Sequence, residues 1–349
     1  MQYTRLSTTD TKVSSVCLGT MSFGAHVNEE TARAVMDKSL ELGINFFDTA
    51  ELYAIPPCKE THGLTEEIIG RWMRDRGNRF DIVLATKVVG PTRGAFDSYI
   101  RGGETGFDRK NIMHAVEDSL KRLQTDYIDL YQLHWPDRNV PKFGQRNWVH
   151  ATEEQATPIL ETLQVLAELQ KSGKVRHFGL SNETPWGTLE FLRLARENNL
   201  PRMVSVQNNY SLLTRSYETA MAEISMREDI GLLPYSPLGF GALGGRYLDG
   251  KKPKGGRFTC YPQFATRYRT PQVEGLIKRY KALAESHQIT LPQLALAFVY
   301  AQPFVTSTII GPSNVEQLVE NVGALDIKLP KEILAGIEEI HEACPNICP

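Results

Sequence analysis

Eight short apolar runs, each followed by a helical pattern, make a closed (β/α)8 barrel the fold this sequence predicts. Two further observations agree. The chain has 349 residues, enough for one large α/β unit. Its polar and ionisable strand residues gather at the C-terminal ends of the runs, where such barrels keep their chemistry. The expectation is a single barrel domain over residues 1–349. It would carry an N-terminal β-hairpin over 1–15, a Gly- and Arg-rich loop over 239–270, and an extra C-terminal helix and tail over 330–349.

The elements follow in order. A Thr8-Thr9-Asp10-Thr11 turn divides the polar first residues into a short hairpin. Val16-Cys17-Leu18-Gly19 is the first barrel strand. A helix over 29–42 follows, with Ala32, Val35, Met36, Ser39 and Leu40 on one face, and Gly43 stops it. The run from Asn45 through Phe46 and Phe47 to Asp48 is the second strand; a Pro-rich loop at 55–58 and a helix through 66–73 come next. Strand 81–87 precedes a Gly-rich loop and helix 109–123, whose stripe is Ile112, Val116, Leu120 and Leu123. Strand 127–134 precedes a long loop (135–157) and helix 158–171. Strand 175–180 precedes helix 185–198, and strand 203–207 precedes helix 217–227. Strand 231–236 leads into the loop that ends near 270, two helices ending at 287 and 301, strand 306–310, and helices 315–322 and 331–344.

Composition narrows the function. With 41% hydrophobic and 23% charged residues the chain is globular, and a net charge of -2 gives no footprint for nucleic acid or an anionic membrane surface. No apolar run approaches the roughly 20 residues of a membrane span, and Met1-Gln2-Tyr3-Thr4-Arg5 lacks a signal-peptide core. Cys17, Cys58, Cys260, Cys344 and Cys348 lack metal or redox spacing and read as free thiols, the last two in a frayed terminus. The chain is expected to be cytoplasmic.

Four residues at these strand ends suggest one site. Asp48 closes the second strand, Tyr53 lies five residues on, Lys87 closes the third strand and His134 the fourth. A carboxylate at the mouth of a buried strand needs a cation, and Lys87 supplies one. A tyrosine near its ordinary pKa of ~10 needs help to exchange protons near neutrality. Lysine beside the phenol favours the phenolate, aspartate keeps that lysine charged and oriented, and His134 can bond a carbonyl oxygen. Such a corner polarises a carbonyl and protonates the alkoxide formed on it. Singly, each residue would be an ordinary loop contact or packing group; their shared end of successive strands argues for a site.

These residues carry a resemblance. Phe47-Asp48-Thr49-Ala50, Tyr53, Lys87 and His134 resemble the catalytic tetrad of the aldo-keto reductases. Cys17-Leu18-Gly19-Thr20-Met21, the run Ile128 to Trp135, Gly179-Leu180-Ser181-Asn182, Gln207-Asn208-Asn209-Tyr210, Tyr235-Ser236-Pro237-Leu238-Gly239, and Gly311 to Asn321 extend it along almost the whole chain. The last motif is similar to the branch that contains potassium-channel β subunits, and residues 53–66 to its bacterial Tas-type reductases. The resemblance implies NADP(H) bound across the barrel mouth and a small-molecule carbonyl substrate. It makes Tyr53 the general acid/base, supported by Lys87 and Asp48, with His134 orienting the carbonyl. Ser181, Asn182 and Gln207 would hold the carboxamide, Tyr235 would stack on the nicotinamide, and Gly19, Thr20 and Met21 would lie near the ring. Ser236, Pro237, Leu238, Gly239 and Gly241 would follow the pyrophosphate, with the 239–270 loop covering the cofactor. Gly311, Ser313, Gln317, Glu320 and Asn321 would grip the adenosine, aided by a helix N-terminus. Arg246, and after it Arg257, are the cations for a phosphate. Relatives with Lys and Arg for the 2′-phosphate differ here, where Gly311 and Gln317 stand.

Gly239-Phe240-Gly241-Ala242-Leu243-Gly244 satisfies G-x-G-x-x-G, yet it follows the seventh strand and opens no βαβ unit, so it reads as a flexible Gly-rich loop over the cofactor. Met21, Tyr53, His134 and Trp135, with the loops at 54–58, 94–106 and 137–157, are expected to shape the substrate pocket. The rival class is a cofactor-binding regulatory or redox-sensing subunit with slow turnover. Metal-dependent hydrolysis is disfavoured, since no His-x-His or second carboxylate pair occurs. A homo-oligomer is left open.

Overall fold

The computed structural model describes residues 1–92, 99–151 and 154–348. Parts of the expected 94–106 and 137–157 loops, and residue 349 of the tail, lie outside the described residues. Strands β1 (Tyr3–Arg5) and β2 (Lys12–Ser14) form the N-terminal hairpin. The barrel strands are β3 (Val16–Gly19), β4 (Phe46–Asp48), β5 (Val83–Val88), β6 (Ile128–Leu133), β7 (Val175–Ser181), β8 (Met203–Gln207), β9 (Gly231–Leu232) and β10 (Thr308–Ile310). β3 to β9 pair in parallel in that order, and β10 pairs in parallel with β3. Leu232 N–H to the Phe304 carbonyl (2.8 Å), Thr306 N–H to the Leu232 carbonyl (2.9 Å) and Ile309 N–H to the Pro234 carbonyl (3.0 Å) close the barrel.

The outer helices are α1 (Glu29–Glu41), α2 (Leu64–Arg76), α3 (Arg109–Leu123), α4 (Ile159–Lys171), α5 (Pro185–Glu197), α6 (Ser216–Glu228), the short α7 (Arg257–Cys260), α8 (Pro271–Ser286), α9 (Leu291–Tyr300), α10 (Val315–Gly323) and α11 (Lys331–Ala343). Local chemistry sets their ends. Asn28, Asp108, Thr184, Thr270 and Thr290 each cap a first turn through the side chain, and Pro stands at the first or second position of α5, α8 and α9. Gly43, at φ 81, lets the chain leave α1. Gly70 of α2 has no room for a side chain, because Arg122 and Leu123 backbone atoms lie against it.

Five expected strands are shorter, the second and fourth only by trimmed ends, at Phe46–Asp48 and Ile128–Leu133. The third starts at Val83, since Arg79–Asp81 wind into a 3₁₀ turn. The seventh is paired only over Gly231–Leu232: Pro234 has no N–H to offer a ladder, and Ser236 takes φ 55. The eighth starts at Thr308 rather than 306, after the irregular closure through Val305. Nor is the tail frayed. Asn346 Oδ1 accepts from Arg215 N–H at 2.8 Å, the Ile347 carbonyl from Arg146 Nη2 at 2.6 Å, and Cys348 is buried. All five cysteines are free. Among the described residues no helix is long and apolar enough to cross a membrane.

Two apolar assemblies hold the barrel. Its outward strand residues, such as Val16, Phe47, Leu84 and Phe178, pack against the helices. Inside, Cys17, Phe46, Ala85, Leu130, Leu233 and Ile309 meet Leu6 and Val13 of the hairpin region, which plugs the lower end.

Candidate active site

The period of a β-strand builds the site. Residues two apart share a face. Two residues beyond the interior apolar layer stand Gly19, Asp48, Lys87, Gln132, Tyr235 and Gly311. A polar layer therefore sits directly on an apolar one, and it opens at the C-terminal ends into a cavity of about 550 Å³.

Its centre is a buried ion pair. Lys87, fully buried, donates from Nζ to Asp48 Oδ2 at 2.6 Å and to the Thr49 carbonyl at 2.7 Å; the Tyr53 hydroxyl lies 3.5 Å away. Asp48 Oδ1 accepts from Gln132 Nε2 at 2.9 Å and Gln207 Nε2 at 2.8 Å. Thr20 donates its hydroxyl to the Asp48 carbonyl at 2.8 Å. A buried pair survives only with this kind of saturation.

Charge states follow from the surroundings. Burial works to lower the Lys87 pKa, but Asp48 and Tyr53 together outweigh it and hold the group above the usual lysine range, so it is an ammonium. Burial raises the Tyr53 phenol above its ordinary 10; Lys87 pulls the other way and Asp48 adds to the rise. The phenol is neutral near pH 7, the form that donates a proton. The expected push toward phenolate is thus weaker than desolvation. Burial, and then Lys87, press His134 well below 6.5, leaving a neutral imidazole. Its ring meets Tyr53 edge-on at 5.7 Å, and its Nδ1 is buried without a partner among the described residues.

The other expected residues divide. Gly19, Met21, Ser181, Asn182, Gln207, Tyr235, Ser236, Pro237, Leu238, Gly241, Arg246, Gly311, Ser313, Gln317, Glu320 and Asn321 line the cavity, as does Arg257. Thr20 and Gly239 do not. Thr20 is wholly buried behind Asp48, and Gly239 turns toward Leu213 and Tyr268. Asn182 donates to the His134 carbonyl at 2.9 Å and accepts from the Tyr235 hydroxyl at 2.7 Å, tying three strand ends together. At α10, Asn314 caps the helix, and Ser313 N–H donates to Gln317 Oε1 at 2.9 Å. The Gly-rich stretch is a packed pair of turns, with Phe240 against Phe264 (5.5 Å) and Tyr268 (5.7 Å). Trp135 is both wall and packing: it is buried, lies 5.0 Å from the His134 ring, and bonds the Pro91 carbonyl at 3.2 Å.

Sequence reasoning missed Gln132, although it lies two residues before His134 on the same strand face. It also missed Glu51. This buried carboxylate accepts from Val89 N–H (2.8 Å) and Arg101 (2.5 Å), tying the segment that carries Tyr53 to the loop after β5. Arg101 is distant in sequence and carries no local signal. Among the described residues no group of three or more His, Cys, Asp or Glu is placed to hold a metal.

A barrel whose polar layer is built around this Asp–Lys–Tyr–His cluster has a matching family. The sequence profile of the Aldo/keto reductase family fits residues 15–342, and the chain belongs to that family. It is 46% identical to Protein tas of Escherichia coli (strain K12) over 342 residues, 98% of each chain. It is 37% identical over 341 residues to the uncharacterized oxidoreductase YrpG of Bacillus subtilis (strain 168), covering 97% of this chain and 96% of that one. A probable voltage-gated potassium channel subunit beta of Oryza sativa subsp. japonica is 30% identical over 353 residues, 99% of this chain and 98% of that one. The protein is an oxidoreductase of the aldo/keto reductase type, a family that uses nicotinamide cofactors and small carbonyl substrates.

Proposed function

We propose that this protein is an NADP(H)-dependent reductase of aldehydes and ketones in which Tyr53 gives the proton. One observation carries the reading: a neutral Tyr53 phenol lies 3.5 Å from a buried ammonium that Asp48 fixes, at the floor of a large cavity. When bound, NADPH supplies the hydride. Tyr53 hydrogen-bonds the substrate oxygen and releases its proton as negative charge grows there. The Lys87 ammonium stabilises the phenolate left behind, and Asp48 keeps Lys87 charged and aimed. His134, neutral, donates to the same oxygen and orients it.

The residues fit the cofactor. Arg246 and Arg257 face the cavity without a carboxylate partner among the described residues, as phosphates require. Ser181, Asn182 and Gln207 would hold the carboxamide, Tyr235 would stack on the ring, and Gly19 and Met21 would border it. Ser236, Pro237, Leu238 and Gly241 would follow the pyrophosphate, and Gly311, Ser313, Gln317, Glu320 and Asn321 the adenosine. Thr20 would act through Asp48. In this reading residues 1–349 form one domain working in the cytoplasm. The complete relay favours turnover over a purely regulatory role.

Tyr53→Phe tests the reading. Turnover with NADPH and an aldehyde should fall roughly 10²–10⁴-fold, the usual worth of a positioned acid, while NADPH still quenches the intrinsic fluorescence. Undiminished turnover would refute the assignment.

A further inference from the structure

Three guanidinium groups face the cavity, and among the described residues none forms an ion pair: Arg246, Arg257 and Arg267. The first two lie together, close enough for both to act on His26, and suit the phosphates of the cofactor. Arg267 is elsewhere. Its Nη1 lies 3.0 Å from where a side chain at Gly144 would begin. The neighbouring Phe143 packs edge-on against Trp135 at 5.8 Å, and Trp135 against His134 at 5.0 Å. On its other side are Tyr268, 5.0 Å from ring centre to guanidinium, and Tyr235. Arg267 therefore borders the end of the cavity where the carbonyl would sit.

The side chain is held against the two phenols, Tyr235 and Tyr268, and these contacts leave part of its donor fork unused. Among the described residues its Nε is buried without an acceptor, and its contact to the Tyr268 hydroxyl, at 3.4 Å, is too long to be a good hydrogen bond. It is the Arg267 carbonyl, not the guanidinium, that receives the Cys348 thiol of the tail at 3.3 Å. Burial works against this cation and the neighbouring phenols offset that cost, yet no carboxylate among the described residues pairs with it. An anion arriving with the substrate would supply the missing partner. The planar fork of arginine matches a carboxylate through two parallel hydrogen bonds. Met21, Leu52, Ile55, Trp135 and Phe143 leave the rest of this end apolar.

We infer that Arg267 is the subsite for a carboxylate on the substrate, which makes the preferred substrates aldehyde or ketone acids with an apolar or aromatic spacer. This rests on the reductase reading above.

The test is a pair of aldehydes reduced with NADPH: 4-carboxybenzaldehyde and its uncharged near-isostere 4-carbamoylbenzaldehyde. The native protein should favour the carboxylate in kcat/KM by roughly tenfold or more, the scale of a hydrogen-bonded charge pair. Arg267→Met should abolish that ratio, chiefly through KM, and Arg267→Lys should keep part of it. A ratio that Arg267→Met leaves intact overturns the subsite while the reductase reading stands. So does an Arg267→Met variant whose KM rises for NADPH alone, since the guanidinium then serves the cofactor. Reduction of neither aldehyde, with NADPH or NADH, brings down the reductase reading and this inference with it. Thermal unfolding of both variants separates these results from misfolding.

Discussion

Replacing Asp48 by Asn isolates what the carboxylate does for Lys87. The isosteric amide still accepts from Gln132 and Gln207 through Oδ1, whose native distances are 2.9 and 2.8 Å. Its other terminus becomes an N–H donor facing Lys87 Nζ, where the native carboxylate oxygen accepts at 2.6 Å. The ammonium keeps the Thr49 carbonyl at 2.7 Å but loses the one anionic partner it has among the described residues, at a fully buried position. Breaking a buried pair by removing one partner costs about 3–5 kcal/mol. With about 2.1 cal/mol/K of unfolding entropy per residue, that lowers Tm by about 4–7 °C for a chain of this length.

The pH dependence is the sharper part. In the native protein Lys87 is held above its ordinary pKa, so its contribution is complete below the unfolded value of ~10.4 and is lost as pH rises through the folded one. In Asp48→Asn only Tyr53 still opposes burial, the largest single influence on this group, and Lys87 is pressed below that value. The unfolded chain then binds more protons, and the variant gains stability as pH rises toward ~10. Thermal unfolding followed by circular dichroism at pH 7 and pH 10 should show the gap in Tm narrowing. A gap of constant size, or no gap at pH 7, would refute the electrostatic basis of the relay.

Four other outcomes follow from the same structure. His134 is held well below 6.5 by burial and Lys87, so native stability should drop on acidification below about 6.5, by up to ~1.4 kcal/mol per pH unit for this group; His134→Gln should flatten that part of a pH–stability profile. Arg101→Met leaves Glu51 as a buried, unpaired carboxylate and should cost about 3–5 kcal/mol in urea unfolding at pH 7. Gln207→Leu removes a donor from both Asp48 Oδ1 and Gln132 Oε1 and should cost about 1–3 kcal/mol, again by urea unfolding, with slower turnover. Gly70→Ala drives a methyl into α3 backbone, 2.7 Å from the Leu123 carbonyl carbon, and should destabilise by about 1–3 kcal/mol, whereas Gly275→Ala in the open middle of α8 should stabilise by about 0.5–1 kcal/mol; paired thermal melts should move in opposite directions.

The parts of the fold that hydrophobic periodicity controls were legible. Strand and helix order, the hairpin, and the positions of Asp48, Lys87 and His134 at strand ends all follow from periods of 2 and 3.6. What was not legible depends on contacts across the barrel. Gln132 looks like an isolated polar residue in an apolar strand until Asp48 and Gln207 close on it from two other strands. Arg101 finds Glu51 through a loop with no pattern of its own. The seventh strand was overextended because Pro234 and the left-handed Ser236 break the ladder inside an apolar run. The tail was misjudged for a similar reason. Its anchors, Arg146, Leu213 and Arg215, are far away in sequence. Thr20 matched its motif, yet its hydroxyl turned inward to the Asp48 carbonyl, leaving Gly19 and Met21 on the cavity wall.

Hydride transfer itself is the most direct test of the proposed chemistry. The purified protein is incubated with an aldehyde and NADPH carrying deuterium at both C4 positions, and the alcohol is analysed by mass spectrometry and NMR. Deuterium on the carbinol carbon, with the hydroxyl proton drawn from solvent, is the predicted result. Alcohol formed without label at that carbon, or no alcohol from any aldehyde offered with either nicotinamide, would contradict it.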